Sequence, residues 1–236
     1  MCYCYAKYFA NKNNADIENE GEILNSKLIQ ALANSSMKLE SIDLQYVSMN
    51  PRLAKAINKF FNEKKDTLRK VRVFNSLRLT CDGSFENLNQ CKNLEDVSGS
   101  FHFHEYQHTQ LKRLECGNTI LTSNDLSMFK QINFNNLQYL KIPIHTNFFG
   151  EFAKLQFPAL QYLVLELFTS PGSTYLNNKS SKTLMKNSQN LKTVKFIGPC
   201  ISNMNLVKIF NKFGPITLSK NPMEITCLVD SYFPQM

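Results

Sequence analysis

Glycine and proline are scarce in this chain, 8 of each in 236 residues, and that scarcity argues against a loop-rich sandwich of short strands. No stretch approaches the roughly 18 uninterrupted apolar residues of a membrane-crossing helix, so no membrane span is expected. The opening residues Met1-Cys2-Tyr3-Cys4-Tyr5-Ala6-Lys7 lack a basic segment followed by a long apolar one, which argues against a secretory leader. The 7 cysteines are odd in number and irregularly spaced, the pattern of scattered reduced thiols rather than of a disulfide framework. That points to the cytoplasm or the nucleus. Catalytic signatures are missing as well: there is no phosphate-binding glycine loop, no Gly-x-Ser-x-Gly, and no carboxylate pair or Ser/His/Asp grouping above background. The expectation is a protein that is not an enzyme and needs no cofactor.

What is present is core and repetition. Hydrophobic residues make up 43% of the chain and aromatic ones 11%, enough for a sizeable core. Asn136-Leu137-Gln138-Tyr139-Leu140-Lys141-Ile142 is answered by Ala159-Leu160-Gln161-Tyr162-Leu163-Val164-Leu165, a near-copy 23 residues later. The underlying frame, apolar-x-x-apolar-x-apolar, also begins at Leu39, Leu68, Leu94, Leu111 and Leu191, and more loosely at Phe213. Three prescribed apolar positions arise by chance at roughly one site in twelve in so hydrophobic a chain, so the frame alone is weak. Leucine at the first position in all starts but the last is harder to dismiss. Asn93, Asn136 and Asn190 each directly precede a frame.

The segments between frames read as helices. Residues 1–16 are polar and asparagine-rich after an aromatic start and are expected to be irregular. Leu24, Leu28 and Leu32, with Ile29, recur at helical spacing, so a helix is expected over 17–33, closing the N-terminal end of the core. Asn50 suits an N-cap with Pro51 at the first helical position, followed by an apolar face of Leu53, Ala56, Ile57, Phe60 and Phe61. Ser123-Asn124-Asp125 opens another helix, and Leu206, Ile209 and Phe210 sit on one that Gly214-Pro215 would stop. The interval from Leu94 to Leu111 is too short for an outer helix, and the one from Leu160 to Leu191 holds an inserted loop around Ser170-Pro171-Gly172-Ser173.

Strand, turn, helix and return every 25 residues or so, carrying Leu-x-x-Leu-x-Leu, resembles the leucine-rich repeat family over about residues 39 to 220. The resemblance implies an α/β solenoid with parallel strands on the concave side and helices on the convex side, forming one domain over 17–236. It departs from the family motif two places after the frame, where Asn or Cys is usual and Val47, Ser76, His102, Thr119, His145, Phe168 and Pro199 stand here. An Asn there satisfies backbone groups along the turn, so a less regular solenoid is expected.

In such a repeat the frame residues point inward and those between them outward, because side chains alternate along a strand. The outward set is Ser41, Asp43 and Gln45; Lys70, Arg72 and Phe74; Asp96 and Ser98; Arg113 and Glu115; Tyr139 and Lys141; Tyr162, Val164 and Glu166; Thr193, Lys195 and Ile197. Within it Phe74, Arg113, Tyr139, Lys141, Tyr162, Glu166 and Lys195 are the candidate partner-binding residues. Tyrosine offers a rigid apolar area with a polar tip and is favoured at interfaces, although strand propensity alone also places Tyr on sheets. The mixed charge of this set suits a protein or peptide better than a phosphate backbone. What the resemblance implies is therefore a protein-protein interaction module, a scaffold or adaptor.

Two other features compete. Lys and Arg against Asp and Glu count 4 to 6 in residues 1–51, 9 to 2 in 52–78 and 14 to 11 in 79–236, so one short stretch supplies most of the net +8. Arg52, Lys55 and Lys59 fall at i, i+3, i+7, and Lys64, Lys65 and Arg69 follow, a candidate surface for nucleic acid or another anionic partner. A solvated outer helix face is the commoner origin of such a stripe. His102, His104 and His108 crowd one stretch, but no catalytic or zinc spacing is matched, and solvated or packed histidines are the simpler reading. No metal site is expected, and the cysteines read as small buried apolar residues.

Overall fold

The frames become strands with a constant offset. The protein, described here as a computed structural model, is defined over residues 3–7, 26–47, 51–75, 86–99, 110–117, 126–127, 129–130, 132, 134–168 and 178–197. It divides into two compact units, Met1–Leu111 and Lys112–Met236. The first holds β1 (Tyr3–Lys7), a helix α1 over 26–34, β2 (Ser41–Val47), α2 (Pro51–Lys64), β3 (Lys70–Asn75), a 3-10 turn at Glu86–Gln90 and β4 (Asp96–Gly99). The second holds β5 (Arg113–Cys116), β6 (Tyr139–His145), a 3-10 turn at Thr146–Phe148 leading into α3 (Phe149–Phe152), β7 (Tyr162–Phe168), α4 (Asn178–Asn187) and β8 (Thr193–Ile197). From β2 to β8, each strand starts two residues after the leading leucine of its frame.

Every described pairing within the units is parallel and joins strands consecutive in sequence: β1 to β2 to β3 to β4 in the first, β5 to β6 to β7 to β8 in the second. Parallel neighbours need a crossover between them, and the helices and turns supply it, so the class is α/β. The register aligns like with like. Ile42, Val71 and Val97 are partners across the first unit, and Leu114, Leu140, Leu163 and Val194 across the second.

A backbone device repeats at the entries of β3, β4, β6, β7 and β8. The carbonyl after a leading leucine accepts two N–H groups from the next frame: Glu40 O from Arg69 and Lys70, Arg69 O from Glu95 and Asp96, Lys112 O from Gln138 and Tyr139, Gln138 O from Gln161 and Tyr162, and Gln161 O from Lys192 and Thr193, all at 2.8 to 3.1 Å. Two of the asparagines that precede frames add a side-chain rung. Asn93 Nδ2 donates to Asp66 O at 2.8 Å and Asn190 Nδ2 to Pro158 O at 2.6 Å, in each case the carbonyl two residues before the previous frame's leucine. Where the family motif has Asn or Cys, the His145 Nδ1 accepts the Asn147 N–H at 3.3 Å and caps the 3-10 turn, so one backbone group is satisfied by a different side chain.

Burial follows the frame. All of its described side chains from Leu39 to Val194, with Gly99 standing in the third place of one frame, are buried. In the first unit α2 buries Leu53, Ala54, Ala56, Ile57, Phe60 and Phe61 on one stripe, as its spacing predicts. In the second unit, Phe129, Phe134, Phe157 and Phe152 form a closed ring of four, with centroids 4.7, 5.1, 5.4 and 6.4 Å apart around it.

Several expectations change. Tyr3–Lys7 is a strand, not irregular chain: it pairs with β2 in register Tyr3 to Ser41 through Lys7 to Gln45. Strand-favouring Tyr, Cys and Tyr there carry no leading leucine, so a scan for the frame passes over them. In α1 the buried side chains are Ser26, Ile29 and Ala33, while Leu28 is 42% exposed, so the inward stripe runs through Ile29 rather than Leu28 and Leu32; Leu24 lies outside the described residues. Two outer legs are also shorter than the expected helices, although α2 and α4 are full ones. Glu86–Gln90 is one 3-10 turn, and α3 is only four residues because the seven-residue β6 in a 23-residue repeat leaves little chain for a helix. The N-cap Asn50, the helix start at 123–125, the loop at 170–173, the helix around Leu206 and the frame at Phe213 lie outside the described residues; helical backbone is seen at Leu126, Ser127 and Phe129.

Candidate interaction surface

Positions between the frame residues share one face of each unit's strands. In the second unit the register sets them in rows: Arg113, Tyr139, Tyr162 and Thr193, then Glu115, Lys141, Val164 and Lys195. Tyr139 and Tyr162 are thus direct cross-strand partners, about 4.8 Å apart at the backbone. Along β7 exposure alternates strictly, with Tyr162 43% and Phe168 40% exposed and Val164 and Glu166 half-buried between them. These two rings are the only large apolar side chains among the described residues of this unit that stand so open.

The charges on this face are largely spent on one another. Arg113 Nη2 meets Glu115 Oε2 at 2.8 Å, Lys141 Nζ meets Glu115 Oε1 at 3.1 Å, and the same Nζ meets Glu166 Oε1 at 3.1 Å. Arg113 also lies over the Tyr139 ring, its guanidinium carbon 3.7 Å from the centroid, which holds that ring in place. Burial pushes the Glu115 carboxyl upward, but hydrogen bonds and charge from Lys141 and Arg113 outweigh it and leave the group below its ordinary range. Burial likewise favours a neutral Lys141, and Glu166 and Glu115 overcome it and raise the ammonium's pKa. Pre-paired charges of this kind present a partner with fixed dipoles at little further reorganisation.

The first unit's face has a different make-up. Tyr3, Ser41, Lys70 and Asp96 form one row and Tyr5, Asp43, Arg72 and Ser98 the next. Asp96 forms an ion pair with Lys70 at 3.6 Å and accepts a hydrogen bond from Arg72 at 3.3 Å. Phe74 occupies a strand position opposite Gln45, and its side chain lies outside what is described.

The basic stretch does not form one surface. Arg52, Lys55 and Lys59 are exposed along α2 opposite its buried stripe. Lys64, however, is only 6% exposed, and its Nζ donates to Ser35 O at 2.5 Å at the end of α1. It ties two elements together and is unavailable to an anion. Arg69 pairs with Glu95 at 3.0 Å, and Lys65 is half-buried. A second stripe escaped the reading of charge runs: Lys179, Lys182 and Lys186 repeat the i, i+3, i+7 spacing and are exposed on α4. The dilution of residues 79–236 by acidic residues hid it, although the spacing itself was there to be read.

Among the described residues no group of three or more His, Cys, Asp or Glu side chains could hold a metal ion, and His102, His104 and His108 lie outside them. The described Cys91 and Cys116 are buried; burial, helped by Asp66, pushes the Cys91 thiol up to about 12 and Cys116 higher still, so neither offers a thiolate near neutral pH. No described helix is long and apolar enough to cross a membrane. No protein-family model matches this chain, and no curated protein matches it to a significant degree.

Proposed function

We propose that each unit is a run of irregular leucine-rich repeats and that the protein is a non-enzymatic interaction module, a scaffold or adaptor of the cytoplasm or nucleus. A protein or peptide partner binds across the strand face, which is the concave side in a solenoid of this kind. The observation that carries the reading is the second unit's face: paired tyrosines and an exposed phenylalanine stand beside charges already neutralised by one another. Rigid rings flanked by satisfied polar groups are the chemistry of binding hot spots. The aligned frames and the ladder of bifurcated carbonyls support the repeat reading, since each repeat hands the same groups to its neighbour.

Tyr139→Ala combined with Tyr162→Ala tests it. Proteins captured from a cell extract by the wild type and cross-linked in place should fall about tenfold or more with the double variant, a hot-spot loss of roughly 1.4 kcal/mol or above. Unfolding midpoints of the two should agree closely. An unchanged captured set, with folding intact, removes the strand face as the site.

The exposed stripe of Arg52, Lys55 and Lys59 favours a second reading, contact with nucleic acid or another anionic surface. Binding of a random-sequence duplex that collapses between low and moderate salt and weakens on Lys55→Gln/Lys59→Gln supports it; salt-insensitive or absent binding removes it.

A further inference from the structure

The charges left over on the second unit's face specify its ligand more narrowly. Arg113, Glu115, Lys141 and Glu166 form one continuous chain of ion pairs. Lys195 stands outside it. It is the register partner of Val164 in the same row as Glu115 and Lys141, it is half-exposed, and no described carboxylate comes within salt-bridge distance of it. Its diagonal neighbours on β7 are Tyr162 on one side and, on the other, Glu166, whose carboxylate is engaged by Lys141; Ile197 lies two residues along its own strand. One strand over and two residues along place that ammonium's Cα about 8 Å from that of Tyr162.

We infer that the strand face of the second unit takes a peptide segment that sets an aromatic or long aliphatic side chain against Tyr162 and an Asp or Glu against Lys195. This rests on the interaction reading above and deepens it. A basic segment is disfavoured because Glu115 and Glu166 are already engaged by Lys141, so an incoming cation would have to displace an existing pair while leaving Lys195 unanswered. A phosphate backbone fits poorly for a different reason: Arg113, Lys141 and Lys195 against Glu115 and Glu166 leave a single net positive charge, too little for the several phosphate contacts on which such binding depends. The spacing also limits the ligand. An extended peptide advances about 3.3 Å per residue, so the acid lies within about two residues of the anchor.

The full-length chain, panned against a displayed library of random twelve-residue peptides with counter-selection on the Tyr139→Ala/Tyr162→Ala variant, tests the assignment. The retained peptides should carry Asp or Glu within two residues of an aromatic or aliphatic anchor. For one of them made synthetically, Lys195→Gln should raise Kd about 5- to 10-fold, replacing its acid by the amide should do the same, and combining both should add little more, as for two members of one ion pair. Retained peptides without that acid, or a Kd indifferent to Lys195→Gln, overturn the inference while leaving the strand face as a binding site. Failure to retain any peptide overturns both. A concentration-dependent dimer in sedimentation, dissolved by the tyrosine variant, would seat a second copy of the chain there and overturn the peptide assignment.

Discussion

The two units build the same strands from the same frame and end with different faces. In the first, Ser41, Asp43, Lys70, Arg72, Asp96 and Ser98 are short or mutually paired, and no large apolar side chain among the described residues stands open on the strands. In the second, the corresponding positions hold Tyr139, Tyr162 and Val164, with Phe168 at the strand end. The frame positions are constrained because each is buried against its neighbours in the stack, whereas the positions between them answer to no packing requirement. Variation therefore collects between the frame residues: the first unit also carries Tyr3 and Tyr5 in register with Ser41 and Asp43, and it is the second whose described side chains set open rings beside paired charges.

The inner sides differ too, and here the expected effects are largest. The residue three before a leading leucine is Phe157 in the second unit and Cys91 in the first, both fully buried. Phe157→Ala removes one member of the four-ring cluster and should cost about 3 to 5 kcal/mol in urea unfolding. Cys91→Ala at the equivalent place, deleting one atom, should cost about 1 kcal/mol. Equal losses would mean that the two cores are not organised around the same positions.

That equivalence was legible and was missed. Phe129-x-x-x-x-Phe134-x-x-Leu137 and Phe152-x-x-x-x-Phe157-x-x-Leu160 are copies, and Phe60 stands eight residues before Leu68 as Phe129 and Phe152 do before theirs. These aromatic positions precede the leucine, whereas the frame runs forward from it. The frame itself gave strand starts, register and inward residues, because period-2 burial leaves a signal in sequence. The pairing of Tyr139 with Tyr162 followed from the same alignment. What could not be read is which charges meet: Lys64 belongs to a basic run by composition, and only the packing of α2 beside the end of α1 turns it into a buried donor. The strand Tyr3–Lys7 was hidden because its place is fixed by the edge of β2 rather than by any pattern of its own.

Asparagine rungs should treat both units alike. Asn93→Ala in the first and Asn190→Ala in the second each remove one side-chain bond to the preceding repeat at an exposed rim, where water replaces it in part. Each should cost about 0.5 to 1 kcal/mol by chemical denaturation. A neutral result in one unit alone would show that its repeats are held by packing without the rung.

The smallest expected effect is a pH dependence peculiar to the second unit's face. Burial raises the Glu115 carboxyl while Lys141 and Arg113 lower it further, and the net folded value lies below the ordinary 4.5. A carboxylate depressed on folding contributes stability that is fully present above its unfolded pKa and is lost as pH falls through the folded value. Glu115→Gln keeps the shape and removes the charge. Wild type and variant should therefore differ by a constant amount between pH 6 and 8, and the gap should narrow as the pH drops below about 4.5 toward 3, measured by urea midpoints at each pH. The direction matters more than the size, because Lys141 would still pair with Glu166 in the variant and retain part of the lattice. A gap that stays constant down to pH 3 would mean that Glu115 gains nothing from its two cations, and the inferred preference for an acidic ligand would lose the pre-paired charge it rests on.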